Sequence, residues 1–72
     1  MDHAYNSIEP FMAIEIDYLY NEWSSGQYAK LSECPSYKAA KALNDAANIL
    51  RKFMGWDTYT LREHMRFKEE GF

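Results

Sequence analysis

Between residues 8 and 23 the apolar positions recur at the spacing of a helix rather than a strand. At 100° per residue, Ile8, Met12, Ile16, Leu19 and Trp23 line one side, while Phe11, Ile14 and Tyr18 fall roughly opposite. Glu15 and Glu22 divide the two faces along one seam, and Asp17 and Asn21 divide them along the other. The helix is therefore two-faced rather than apolar all round. One face serves the chain's own core, and the other predicts a partner. Asn6 or Ser7 can cap the helix start, with Pro10 accommodated in the first turn and Met1–Tyr5 left as a loose terminus. Ser24, Ser25 and Gly26 end it.

A second helix is predicted over about 35–54, opened by Pro35 and stopped by Gly55, with five alanines supplying the strongest helix propensity. Ala39, Leu43, Ala46, Leu50 and Phe53 form its apolar stripe, widened by Ala40, Ala47 and Met54, and Lys38, Lys41, Asp45, Asn48 and Lys52 form the opposite polar face. The small residues let the first helix approach closely. After a turn at Gly55–Asp57, Thr60 and Glu63 make a capping-box pattern that opens a helix over about 60–70, with Leu61 and Met65 inward. In the long connection between the first two helices, Ser24 with Gln27 and the pair Tyr28 and Leu31 predict a short helix at about 26–32. No segment alternates with a period of two. The expected fold is all-α, a single domain over residues 1–72 with three or four helices.

Length makes the second apolar face more telling. A chain of 72 residues buries only about 60% of the surface its unfolded form exposes, and domains of this size commonly lean on a staple or a partner. The single cysteine, Cys34, cannot form an internal disulfide, and with two histidines it gives no zinc framework. Self-association, most simply a homodimer, is the remaining staple. A lone cysteine, no basic-then-apolar leader pattern and no run of about 20 apolar residues predict a cytoplasmic, non-membrane protein. The net charge of −3 hides an asymmetry: residues 1–34 hold six acids and one base, whereas residues 35–72 hold seven bases and five acids. Opposite signs in the two halves favour head-to-tail attraction between copies or attraction of the acidic half to a basic surface.

Little in the chain spells catalysis. Cys34 precedes a helix start that could activate a thiol, but Glu33 opposes ionisation and no histidine stands at readable spacing, so a small packing residue is the plainer reading. His64 next to Glu63 lacks the second histidine of an H-E-x-x-H helix and reads as a core-margin side chain, and His3 carries no signal. Glu9, Glu15, Glu22 and Asp17 lack the Glu-x-x-His companions of a bundle metal site. No catalytic residue, cofactor, metal or small-molecule substrate is expected. The aromatic residues are read as core or interface anchors, with Tyr18 and Tyr37 as the exposed pair.

Two functional classes follow. The first is a non-enzymatic protein-interaction module, a regulator or inhibitor, that acts as a homodimer through Phe11, Ile14 and Tyr18 rimmed by Glu15 and Glu22. Short acidic-leaning binders of this kind are common among phage and mobile-element inhibitors of host machinery, an association of composition alone. The alternative is a small DNA-binding transcriptional regulator in which residues 38–70 form a helix-turn-helix-like unit, with Lys38, Lys41, Lys52, Arg62 and Arg66 facing phosphate. Glu63, Glu69 and Glu70 among those arginines, and the acidic overall balance, weigh against it.

Overall fold

The structure, a computed structural model, describes residues 2–70. Three α-helices run along the chain: α1 at Asp2–Ser24, α2 at Tyr37–Phe53 and α3 at Leu61–Glu69, with a single 3-10 turn at Leu31–Glu33 between the first two. Among the described residues there is no strand, and the fold is all-α.

The core face of α1 is the one its periodicity marks. Met12, Ile16 and Leu19 are buried, and Ile8 and Trp23 pack against them. The start of the helix differs from expectation, because Asp2–Tyr5 are helical and Pro10 lies well inside α1 instead of in its first turn. Met1 lies outside the described residues. Tyr5 is the physical reason for the longer helix. It is buried, packs edge-on against Trp56 with ring centroids 5.4 Å apart, and its hydroxyl receives a hydrogen bond from the Arg51 guanidinium. That tertiary anchor outweighs the backbone hydrogen bond that proline cannot donate.

The expected helix at 26–32 contracts to the Leu31–Glu33 turn. Ser24 and Gln27 do not form a capping box; Ser25 Oγ accepts the Gln27 N–H and donates to the Glu22 carbonyl, tying the end of α1 to the following turn. The turn is placed further along because buried Leu31 anchors it and the Glu33 carboxylate accepts the Lys30 N–H.

Helix α2 starts at Tyr37, two residues later than expected, with Ser36 as its N-cap. Ser36 makes no capping bond of its own. The Glu22 carboxylate instead accepts both the Ser36 N–H at 2.9 Å and its hydroxyl at 2.7 Å, so α1 supplies the anion at the N-terminus of α2. At the other end, Gly55 at φ 75° closes a Schellman motif in which Trp56 N–H donates to the Arg51 carbonyl and Gly55 N–H to that of Lys52. The Tyr5–Arg51 and Glu22–Ser36 contacts fix α1 and α2 as antiparallel neighbours, with alanines Ala40 and Ala47 fully buried at their junction.

The buried side of α2 is rotated from the stripe that its apolar residues suggest. Ala40, Asn44 and Ala47 are buried, Leu43, Leu50 and Met54 are half-buried, and Ala39 and Phe53 are exposed. Asn48, expected on the solvent face, is half-buried. The cause is the segment leading to α3: Asn48 grips Tyr59 through both its amide groups, at 2.7 and 3.1 Å, and Asn44 donates to the same Tyr59 carbonyl at 3.1 Å. This polar clasp draws the 44/48/51 side of α2 inward. Helix α3 opens as expected, with Thr60 Oγ1 accepting the Glu63 N–H and the Glu63 carboxylate accepting that of Thr60. Leu61 and Met65 are buried beneath it.

Candidate interaction surface

Five large apolar side chains on α1 and α2 remain in solvent: Phe11 is 63% exposed, Ile14 49%, Tyr18 55%, Ile49 66% and Phe53 75%. The first three form the second face of α1. The last two belong, with exposed Ala39 and Ala42, to a second apolar face on α2 that the rotation of that helix leaves outside the core. Sequence reading missed this one, because it assigned Phe53 and Ala39 to the core stripe.

The two faces share one side of the molecule. Helix α3 reaches α1 through the Lys68–Asp17 ion pair and through a cleft lined by Ala13, Ile16, His64 and Phe67. It reaches α2 beside Asn44 and Asn48. On a helical wheel Asp17 sits at the seam of the α1 face, while Ala13 and Ile16 lie across α1 from Phe11, Ile14 and Tyr18, and Asn44 and Asn48 lie across α2 from Ala42, Ile49 and Phe53. Helix α3 therefore covers one side of the α1–α2 pair and leaves the apolar faces together on the other.

Of the two rim residues, Glu15 is half-buried at the seam beside this surface, whereas Glu22 is committed to Ser36 and the start of α2. Tyr18 is exposed as expected, but Tyr37 is half-buried and packs on the core. The basic residues scatter. Lys38, Lys41, Lys52, Arg62 and Arg66 are all exposed, yet Lys41 is paired with Asp45 at 3.0 Å, and Arg62 and Arg66 share a groove with Trp23 and Glu69. Seven residues, 54–60, separate α2 from α3, where a helix-turn-helix uses a turn of three or four.

Burial pushes the Cys34 thiol pKa up, and the carboxylates of Glu22 and Glu33 push it further, so the group is held as a protonated packing side chain. Among the described residues no three of His, Cys, Asp and Glu come together as a metal site would require.

At the opposite side of the fold, Arg51 lies between aromatic rings, its guanidinium carbon 4.9 Å from the Tyr5 centroid and 5.5 Å from that of Tyr59. His64 packs edge-on to Tyr59 and Phe67. Burial lowers the His64 pKa and the nearby Arg51 cation lowers it further, with the adjacent Glu63 acting weakly in the other sense. The lowered value means the unfolded chain binds a proton first as pH falls. Stability is thus expected to decline as pH drops below about 6.5, the ordinary histidine value, and to level off beneath the folded-state pKa. Urea midpoints measured between neutral pH and the onset of carboxylate titration check this. The His64→Gln protein should lose the decline, and an unchanged pH profile in that variant would assign it elsewhere.

No helix among the described residues is long and apolar enough to cross a membrane. No protein-family model, curated protein or solved structure matches the chain.

Proposed function

We propose that this chain is a non-enzymatic protein-interaction module, a small regulator or inhibitor of the cytoplasm, working through the exposed α1 face of Phe11, Ile14 and Tyr18. The observation that supports it most is the exposure of those three side chains at helical spacing on a helix whose other face already fills the core. Single exposed apolar residues need no explanation, but a contiguous patch of large ones marks an interaction site in a small protein. Aromatic anchors give such a surface large contact area at low entropic cost.

The test is affinity capture from cells that make the protein naturally, comparing wild type with the Phe11→Glu/Tyr18→Glu chain. Both positions are exposed, so the double variant should keep its helical circular-dichroism spectrum. The expected result is that a partner held by the wild type is lost from the variant. Equal retention by both proteins would overturn the reading.

The DNA-binding alternative predicts something different in a salt series with random duplex DNA. Phosphate contacts make affinity fall steeply with salt, and three or more of them would give a log–log slope of roughly −3 or steeper. The scattered, partly paired basic residues lead us to expect no binding of that kind at physiological salt.

A further inference from the structure

Resting on the interaction-face reading, we infer that the occupant of this surface is a second copy of the chain, with α1 of one protomer laid antiparallel on α2 of the other. The inference uses the whole α1–α2 surface, of which the α1 stripe is only half.

Charge supports it first. Beside its exposed apolar face α1 carries Glu15 and Asp17, with no lysine or arginine anywhere along the helix, while α2 carries Lys38, Lys41 and Lys52 on its solvent side against Asp45 alone. Two copies that met α1 to α1 would bring acid against acid. Meeting α1 to α2 instead brings the Glu15 and Asp17 rim of one copy level with Lys38 and Lys41 of the other.

Shape agrees with charge. The Tyr5–Arg51 and Glu22–Ser36 contacts put Ile14 of α1 level with residues 42 and 43 of α2, and Tyr18 level with Ala39. A two-fold axis lying in the interface and parallel to the helices preserves those levels and exchanges the helices, as an isologous contact requires. Ile14 then lies over Ala42 of the other copy and Tyr18 over its Ala39. The bulky stripe on α1 meets the low, alanine-bearing face of α2, and the four helices form a two-layer bundle with both α3 helices outside.

The area is sufficient. A whole aromatic side chain offers about 150–250 Å², so five large side chains exposed by half to three-quarters contribute on the order of 500 Å² of apolar surface. With the alanines and the polar rim this approaches the roughly 800 Å² per partner of a standard stable interface.

Two measurements test it. Sedimentation equilibrium of the full chain at high micromolar concentration is expected to show a dimer, and Phe11→Glu to weaken it about thirtyfold or more. Ile14→Cys and Ala42→Cys proteins, made separately, tagged to differ in mass and mixed under mild oxidation, are expected to link to each other far more than either links to itself. The wild type, whose only thiol is the buried Cys34, is the control. A dimer in which Ile14→Cys links mainly to itself, or in which neither variant links, would overturn the α1-on-α2 arrangement. A monomeric wild type would overturn the second copy altogether. Neither of those results decides the partner capture described above, which fails only if the Phe11→Glu/Tyr18→Glu chain retains what the wild type retains.

Discussion

Shortening Leu19 to alanine is expected to cost about 2–5 kcal/mol, which is a large part of the 5–15 kcal/mol that separates a typical small domain from its unfolded state. Leu19 is the largest apolar side chain with no exposed surface, and it belongs to the buried cluster that joins Met12 and Ile16 of α1 to Ala40 and Ala47 of α2 and Leu61 and Met65 of α3. The substitution removes three carbons from a place that every helix helps to enclose, and the alanines opposite are too short to fill the space. Leu50→Ala, on the half-buried shoulder of α2, should cost distinctly less. Lys41→Ala, in an exposed pair with Asp45, should fall within about 0.5 kcal/mol of wild type. Urea titrations of the three proteins check the order. A Leu50→Ala protein less stable than Leu19→Ala would mean that the core stripe of α2 runs where its apolar residues suggest and not where Asn44 and Ala47 place it.

That ordering depends on the point where sequence pattern and structure part company. The core face of α1 is legible because its inward positions are long side chains at helical spacing, and a large residue declares a direction on the wheel. The α3 start is legible because Thr60 and Glu63 act on backbone groups three residues away, so all the partners are local. Helix α2 is different. Its alanines at 39, 40, 42, 46 and 47 occur on several sides and declare little, while the residues that fix its rotation are polar. Asn44 is 2% exposed, more deeply buried than most of the apolar residues, because its amide donates to a carbonyl fifteen residues later. Hydropathy assigns such a residue to solvent; only the tertiary hydrogen bond accounts for its burial. The i, i+4, i+7 spacing of Asn44, Asn48 and Arg51 is the one trace of that clasp in the sequence.

The exposed apolar surface was half legible for the same reason. Phe11, Ile14 and Tyr18 could be read from the α1 pattern, since two separated apolar stripes cannot both face one small core. The α2 half, with Ile49 and Phe53, becomes visible only after the asparagine clasp has turned that helix. Glu22 shows the converse error: on the wheel it borders the exposed face, yet its side chain is taken by Ser36 fourteen residues on.

Replacing Pro10 by alanine is expected to stabilise the protein by about 1–3 kcal/mol, since proline in a helix interior withholds a hydrogen bond, crowds the carbonyl four residues back and is roughly 3 kcal/mol worse than alanine. Here that carbonyl belongs to Asn6, and Pro10 is exposed on the side of α1 away from the core, so the change touches no packing. The sign and size of the effect depend on where α1 begins. If helix began only at residue 8, position 10 would need no N–H partner, proline would suit it, and the substitution would be neutral or slightly harmful. With residues 2–9 helical and Tyr5 held by Trp56 and Arg51, the restored hydrogen bond joins two segments that are each anchored. The gain should therefore shrink when Tyr5→Ala is present, because freeing the first turns removes the structure that proline interrupts. A urea double-mutant cycle over Pro10→Ala and Tyr5→Ala measures that coupling directly. Additive effects, or a Pro10→Ala protein no more stable than wild type, would show that the first turns of α1 are not held to the Arg51–Trp56 end of the fold.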